Sequence, residues 1–178
     1  MPQIARAAEL APGTLYLYFP GKSSLYAELL ISGYDQFTAR LEASLAPHLS
    51  PRAQAEALID AFFAFASDQP ELFDIIFFLL QTGARRPRQD VLEPEQLERL
   101  VAKENACKAI AGRVLERLHA APAVPGLVGV DAVWSMLAGV IFLFRGDGPD
   151  ALAAVAEDAK RVVLAALFGQ ARPHGVGN

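Results

Sequence analysis

Residues 12–22 read Pro12-Gly13-Thr14-Leu15-Tyr16-Leu17-Tyr18-Phe19-Pro20-Gly21-Lys22. Thr14 and the tyrosine hydroxyls can hydrogen-bond phosphate oxygens, and Lys22 adds a positive charge. Leu17 has no hydrogen-bonding group, so the base feature it matches is a thymine methyl. Catalytic patterns are missing. Gly21-Lys22-Ser23 looks like the end of a phosphate-binding loop, but that loop needs a glycine where Tyr16 stands. No HExxH, GxSxG or GxGxxG occurs. His48, His119 and His174 are scattered, and Cys107 has no histidine near it in sequence. The expected chemistry is binding rather than catalysis, with no cofactor and no metal.

The elements that hold these residues read as helices, and the fold class expected is all-α. A short helix over Pro2–Ala8 and a turn at Glu9–Ala11 lead to a second helix over Pro12–Tyr18. Leu15 and Phe19, four apart, anchor one face of that second helix, while Thr14, Leu17 and Tyr18 project elsewhere. Two short helices joined by a tight turn suggest a helix-turn-helix, whose second helix enters the DNA major groove. The same spacing also occurs in helical proteins that never touch DNA.

A long helix follows over Lys22–Ala46, with Leu25, Leu29, Gly33, Phe37, Leu41 and Leu45 spaced by four. Ser50 caps the next, with Pro51 at its first position, and it runs to Asp68. Pro70 opens a helix ending near Gly83, and an arginine-bearing loop (Arg85, Arg86, Arg88) separates it from a long helix over Pro94–His119. Pro122 and Pro125 enforce a linker. Val130–Phe144 and Asp150–Phe168 are the last helices, and Gly169–Asn178 reads as a frayed tail.

The string from Ile4 to Leu30 resembles the head of the TetR-like family of transcriptional regulators. The family pattern has an Ile-Ala-x-x-Ala helix, a turn, Gly-Thr-Leu-Tyr-x-Tyr-Phe, then a lysine and a leucine. Ile4, Ala5, Ala8, Gly13, Thr14, Leu15, Tyr16, Tyr18, Phe19, Lys22 and Leu25 stand in register with it. The resemblance implies that Thr14, Tyr16, Leu17, Tyr18 and Lys22 contact DNA, and that Gly13 lets the helix approach the backbone. It further implies a repressor held on a palindromic double-stranded operator and released by a small-molecule effector. There are two departures. Glu9 stands where many members have glycine, and it is expected to face away from phosphate or to support the turn. Family heads also carry a helix before the Ile-Ala helix; this chain starts directly on the latter, so the head is expected to be incomplete.

The organisation expected is a head with its connecting helix over 1–46 and a regulatory helical-bundle body over 47–178. Phenylalanines cluster in the body, and Phe62, Phe65, Phe73 and Phe77 are candidates to line a pocket for a small apolar or aromatic effector, or simply to fill the core. Glu104 interrupts an apolar line (Leu97, Leu100, Ala111, Leu115), so it either meets a ligand amine or hydroxyl or pairs with Lys108. Cys107 joins the candidate pocket as a buried apolar residue. Trp134 suits the pocket or a dimer seam. Two copies packed through about 130–168 would form a four-helix homodimer. The helix at 22–46 would carry an effector signal to the head by tilting.

Composition narrows the classes. Of 178 residues, 53% are apolar and 20% charged, which excludes a disordered chain. A net charge of −4 argues against broad coating of nucleic acid but leaves room for a local DNA-binding surface. One cysteine rules out an intrachain disulfide and fits a cytoplasmic protein. The apolar run Ala132–Phe144 is 13 residues long, short of the roughly 20 that span a bilayer, so no membrane role is expected. The alternative to a repressor is a dimeric helical small-molecule-binding protein without DNA activity.

Overall fold

Prolines set the starts of the helices. In a computed structural model, which describes residues 1–79, 92–119 and 129–168, the elements are α1 (Pro2–Ala7), α2 (Pro12–Tyr18), α3 (Lys22–Ser44), α4 (Pro51–Asp68), α5 (Pro70–Asp74), α6 (Pro94–His119), α7 (Val130–Phe144) and α8 (Pro149–Phe168). Six of these eight open on proline, where the missing N–H costs no helical hydrogen bond and the ring presets φ. Every element among the described residues is helical, as the all-α reading expects. The arginine stretch at 83–91, the prolines at 122 and 125 and the tail from 169 lie outside the described residues.

Helix ends have local causes. Ser50 Oγ accepts a hydrogen bond from the Ala53 N–H at 3.2 Å, satisfying a free donor at the start of α4. At the end of α1 the Leu10 N–H donates to the Ala5 carbonyl (2.8 Å) and the Glu9 N–H to that of Arg6 (3.1 Å). That crossed pair closes a helix only when the residue between has left-handed backbone, and Glu9 has φ +55°. Gly148, at φ +99°, takes a backbone conformation that favours glycine and joins a 3-10 turn at Arg145–Asp147 to α8, which packs on α7.

Two elements differ from the sequence reading. The helix from Pro70 is α-helical only to Asp74 and continues as a π-turn over Ile75–Leu79. There Ile76 fills the notch left by Gly33, its Cδ1 lying 3.1 Å from where a Cβ on Gly33 would stand. In α3 the buried line is Ala27, Leu30, Ile31, Tyr34, Phe37 and Leu41, whereas Leu29 is 36% exposed. Residues four apart advance about 40° beyond a full turn at each step, so a strict i+4 line leaves the core at one end.

The chain divides into two compact units. The first comprises Met1–Gln36 and Glu71–Asn105, with α1 against α2 and a core including Ala5, Leu15, Ala27, Leu30, Phe73 and Leu100. The second comprises Phe37–Pro70 and Ala106–Asn178, where α4, α7 and α8 pack on one another. Its buried residues include Phe37, Phe62, Phe65, Ile110, Leu137 and Val163. Helices α3 and α6 each contribute a part to each unit.

Candidate functional site

Leu15 orients the second head helix. It is 5% exposed and so marks the inward direction of α2. Each residue turns about 100°, so positions two before and two after it lie nearly opposite. Those are Gly13 and Leu17. Leu17 is 84% exposed, and a Cβ on Gly13 would meet nothing within 4 Å. Tyr16 and Tyr18 are exposed on the flanks, and Thr14 is half-buried. Lys22, the first residue of α3, is exposed, and its ammonium lies 5.4 Å from the Tyr26 ring centroid. All six candidate DNA-facing residues thus fall on α2 or at the start of α3, with the apolar anchor behind. Glu9 is exposed at the turn, and its structural part is the left-handed backbone described above.

Within the same unit a polar ladder ties α3 to α6. Gln96 Nε2 donates to Ser24 Oγ at 2.8 Å, and Arg99 makes two hydrogen bonds to the Glu28 carboxylate, at 2.8 and 3.1 Å. Lys103 Nζ lies 2.5 Å from Asp35 Oδ1. The hydrogen bond and charge of Glu28 raise the Arg99 pKa above its ordinary value. These groups are largely solvated, so each pair adds little stability; their effect is to fix the register of the two helices.

The second unit holds an aromatic cluster centred on Phe37. Its ring centroid is 4.9 Å from Phe65, 5.7 Å from Phe62 and 5.7 Å from Trp134. Beside the cluster lies a cavity of about 40 Å³. Of the candidate pocket residues, Phe62 and Trp134 line it. Phe65 packs on Phe37, and Cys107 is fully buried in α6 without reaching the wall. Phe73 and Phe77 stack on each other at 4.5 Å in the first unit, where Glu104 is also found, half-buried. Lys108 pairs with Asp131 at 2.9 Å.

The rest of the wall is aliphatic, including Leu41 of α3, Ala111 and Val114 of α6 and Val163 of α8. A search centred on aromatic residues passes over these. The signal that finds them is the apolar line of each helix, since a bundle cavity is bounded by whatever faces inward. All the lining side chains are apolar, and the indole N–H of Trp134 is the sole polar side-chain group among them.

A further surface is apolar. On α7 and α8, Met136, Phe142, Leu143 and Val162 are exposed, with Leu143 at 68%. Among the described residues, no three His, Cys, Asp or Glu side chains gather as a metal site, and no helix is long and apolar enough to cross a membrane.

A helix-turn-helix whose second helix buries Leu15 and exposes Leu17 is the arrangement in which a class of DNA-binding proteins sets that helix into the major groove. Residues 1–29 match the family model described as bacterial regulatory proteins, tetR family. The fold matches that of a bacterial regulatory protein in the tetR family from Rhodococcus RHA1, with a TM-score of 0.73 and 16% identity, over 93% of this chain and 84% of that one. It also matches the TetR family transcriptional regulator PfmR from Thermus thermophilus (TM-score 0.71, 20% identity, 92% of this chain and 86% of that one). A third match is a protein with unknown function from Rhodococcus sp. RHA1 (TM-score 0.63, 22% identity, 90% and 82%). No curated protein sequence matches the chain. The chain is TetR-like in its head motif and in its fold, which supports a DNA-binding transcriptional regulator.

Proposed function

We propose that the chain is a cytoplasmic transcriptional repressor that binds a palindromic operator as a homodimer and leaves it when a small apolar or aromatic effector enters the body. Residues 1–46 serve as the head and 47–178 as the regulatory and dimerisation part. The observation that carries the DNA reading is the outer face of α2. Gly13, Tyr16, Leu17 and Tyr18 are presented to solvent beside Lys22, while the buried Leu15 faces inward. The exposed apolar residues of α7 and α8 support a dimer through about 130–168, since two copies would bury them as a four-helix bundle.

The cavity supports an effector site that opens on binding. At about 40 Å³ it holds a few water-sized molecules, against about 300–1,000 Å³ for typical small-molecule pockets. An effector must therefore part its walls. Two of those walls, α3 and α6, are the helices that also contribute to the first unit. An effector bound between them stabilises the parted state by its differential affinity, and operator affinity falls by the same coupling.

The test is a mobility-shift titration at low salt with the intergenic DNA flanking the gene. A sequence-selective shift that weakens for Tyr18→Ala and Lys22→Ala is expected. No shift on any flanking DNA sinks the repressor reading and leaves a helical ligand-binding protein. Small hydrophobic compounds that raise Tm yet leave the shift unchanged sink the effector coupling.

A further inference from the structure

We propose that the ligand of the second unit is an apolar carboxylic acid, its tail entering the cavity and its carboxylate held by Gln54 and Arg117. The inference names a ligand class for the effector site proposed above and rests on that reading. Gln54 is buried, at 5% exposure. Arg117 Nη1 donates to its Oε1 at 3.3 Å. A guanidinium can only donate, so this bond settles which way round the amide lies: the oxygen faces Arg117 and the NH2 group is the other end. Among the described residues nothing accepts from that NH2 group. A buried donor without an acceptor is unfavourable, and a tie between α4 and α6 needs only the oxygen. Arg117 is exposed and enters no ion pair among the described residues.

Both residues stand at one end of the cavity. Leu58 and Val114 belong to its wall. Gln54 is four residues before Leu58 and Arg117 three after Val114, so each lies one turn further along the same helix face. The hydrogen bond between them shows that these two turns meet. An apolar interior is thus followed, about one turn or 5.4 Å beyond, by a buried amide donor and a guanidinium with donors to spare. A ligand that satisfies both is apolar along its length and carries an acceptor at one end. A carboxylate suits that end: it is planar, offers one oxygen to each donor group, and its charge matches Arg117. The present bond to Gln54 is long, so the guanidinium can turn to a new acceptor at little cost. Because Arg117 is exposed, the carboxylate keeps contact with water and escapes full desolvation. An amine would meet like charge at Arg117, and a plain hydrocarbon would leave the Gln54 donor unmet.

The experiment follows the emission of Trp134, the chain's one tryptophan and part of the cavity wall. The full chain is titrated with sodium octanoate and, separately, with octan-1-ol and methyl octanoate. Octanoate should bind at least about tenfold more tightly than either, the worth of a charge-assisted hydrogen bond. Gln54→Leu and Arg117→Met should each remove most of that preference and leave octan-1-ol binding and helicity unchanged. Gln54→Glu, which sets a carboxylate beside Arg117, should abolish octanoate binding while octan-1-ol still binds. Equal affinity for octanoate and octan-1-ol, or a preference that survives in both Arg117→Met and Gln54→Glu, would overturn the carboxylic acid assignment while leaving the effector site intact. No change in Trp134 emission with any of the three compounds would remove the cavity as an effector site and this inference with it.

Discussion

Replacing Glu9 by glycine should stabilise the protein. Glu9 sits at φ +55° between two crossed hydrogen bonds that end α1, Leu10 N–H to Ala5 O at 2.8 Å and Glu9 N–H to Arg6 O at 3.1 Å. A Cβ in left-handed backbone costs roughly 1–2 kcal/mol. Glycine removes that cost but gives back about 0.5–1 kcal/mol through its greater freedom in the unfolded chain. The net gain is about 0.5–1 kcal/mol, or about 1–4 °C in Tm for a chain of this size. The control is Glu9→Ala, which removes the same carboxylate but keeps the Cβ. Relief of charge at the end of α1 is small there, below about 0.5 kcal/mol. Thermal denaturation followed by circular dichroism gives the global value. Amide exchange at Leu10 gives the local one, and its protection should rise about two- to fivefold in the glycine variant. A glycine variant no more stable than the alanine variant would refute the argument, because it would mean that the left-handed backbone at Glu9 costs no more than glycine's extra freedom in the unfolded chain.

Three other outcomes follow from the second unit. Phe37→Ala should cost about 3–5 kcal/mol in urea denaturation, because it empties the centre of the aromatic cluster, and it should shift the emission of Trp134. Lys160 donates to Asp60 at 2.7 Å, which raises its pKa above the ordinary 10.5. A cation with a raised folded-state pKa stabilises fully below its ordinary value and loses that contribution as pH rises through the raised one. The urea midpoint should therefore fall as pH rises from the ordinary 10.5 through the raised value, and Asp60→Asn should flatten that fall while costing under about 1 kcal/mol at neutral pH, since the carboxylate is half-solvated; equal pH slopes would sink the linkage. Phe142→Lys with Leu143→Glu should convert a dimer to a monomer of 19.1 kDa in light scattering without loss of helicity, and a dimer that survives both changes would place the interface elsewhere.

The elements were legible because their signals are local. Proline at a first helical position, serine before it and glycine after it act through bonds within one turn. The starts at Pro12, Pro51 and Pro94 were therefore plain in the sequence. The head motif was legible for the same reason, since Leu15 and Leu17 take opposite sides of any helix that contains them. Sequence alone thus settled the all-helical class and the kinship of the first 29 residues. Tertiary structure decided what depends on neighbours distant in the chain. It chose Leu30 and Ile31 over Leu29 for the core of α3, because a line of residues four apart drifts round the helix and packing selects where it turns inward. It turned the chain after Asp74 into a π-turn that sets Ile76 into the notch at Gly33, a notch visible only once two helices meet. It bounded the cavity mainly with aliphatic residues from five helices, leaving Phe65 and Cys107 as packing, because a cavity is what four or more faces fail to fill and no single helix encodes it. Its small volume is likewise a property of the packed bundle and of no local stretch of sequence.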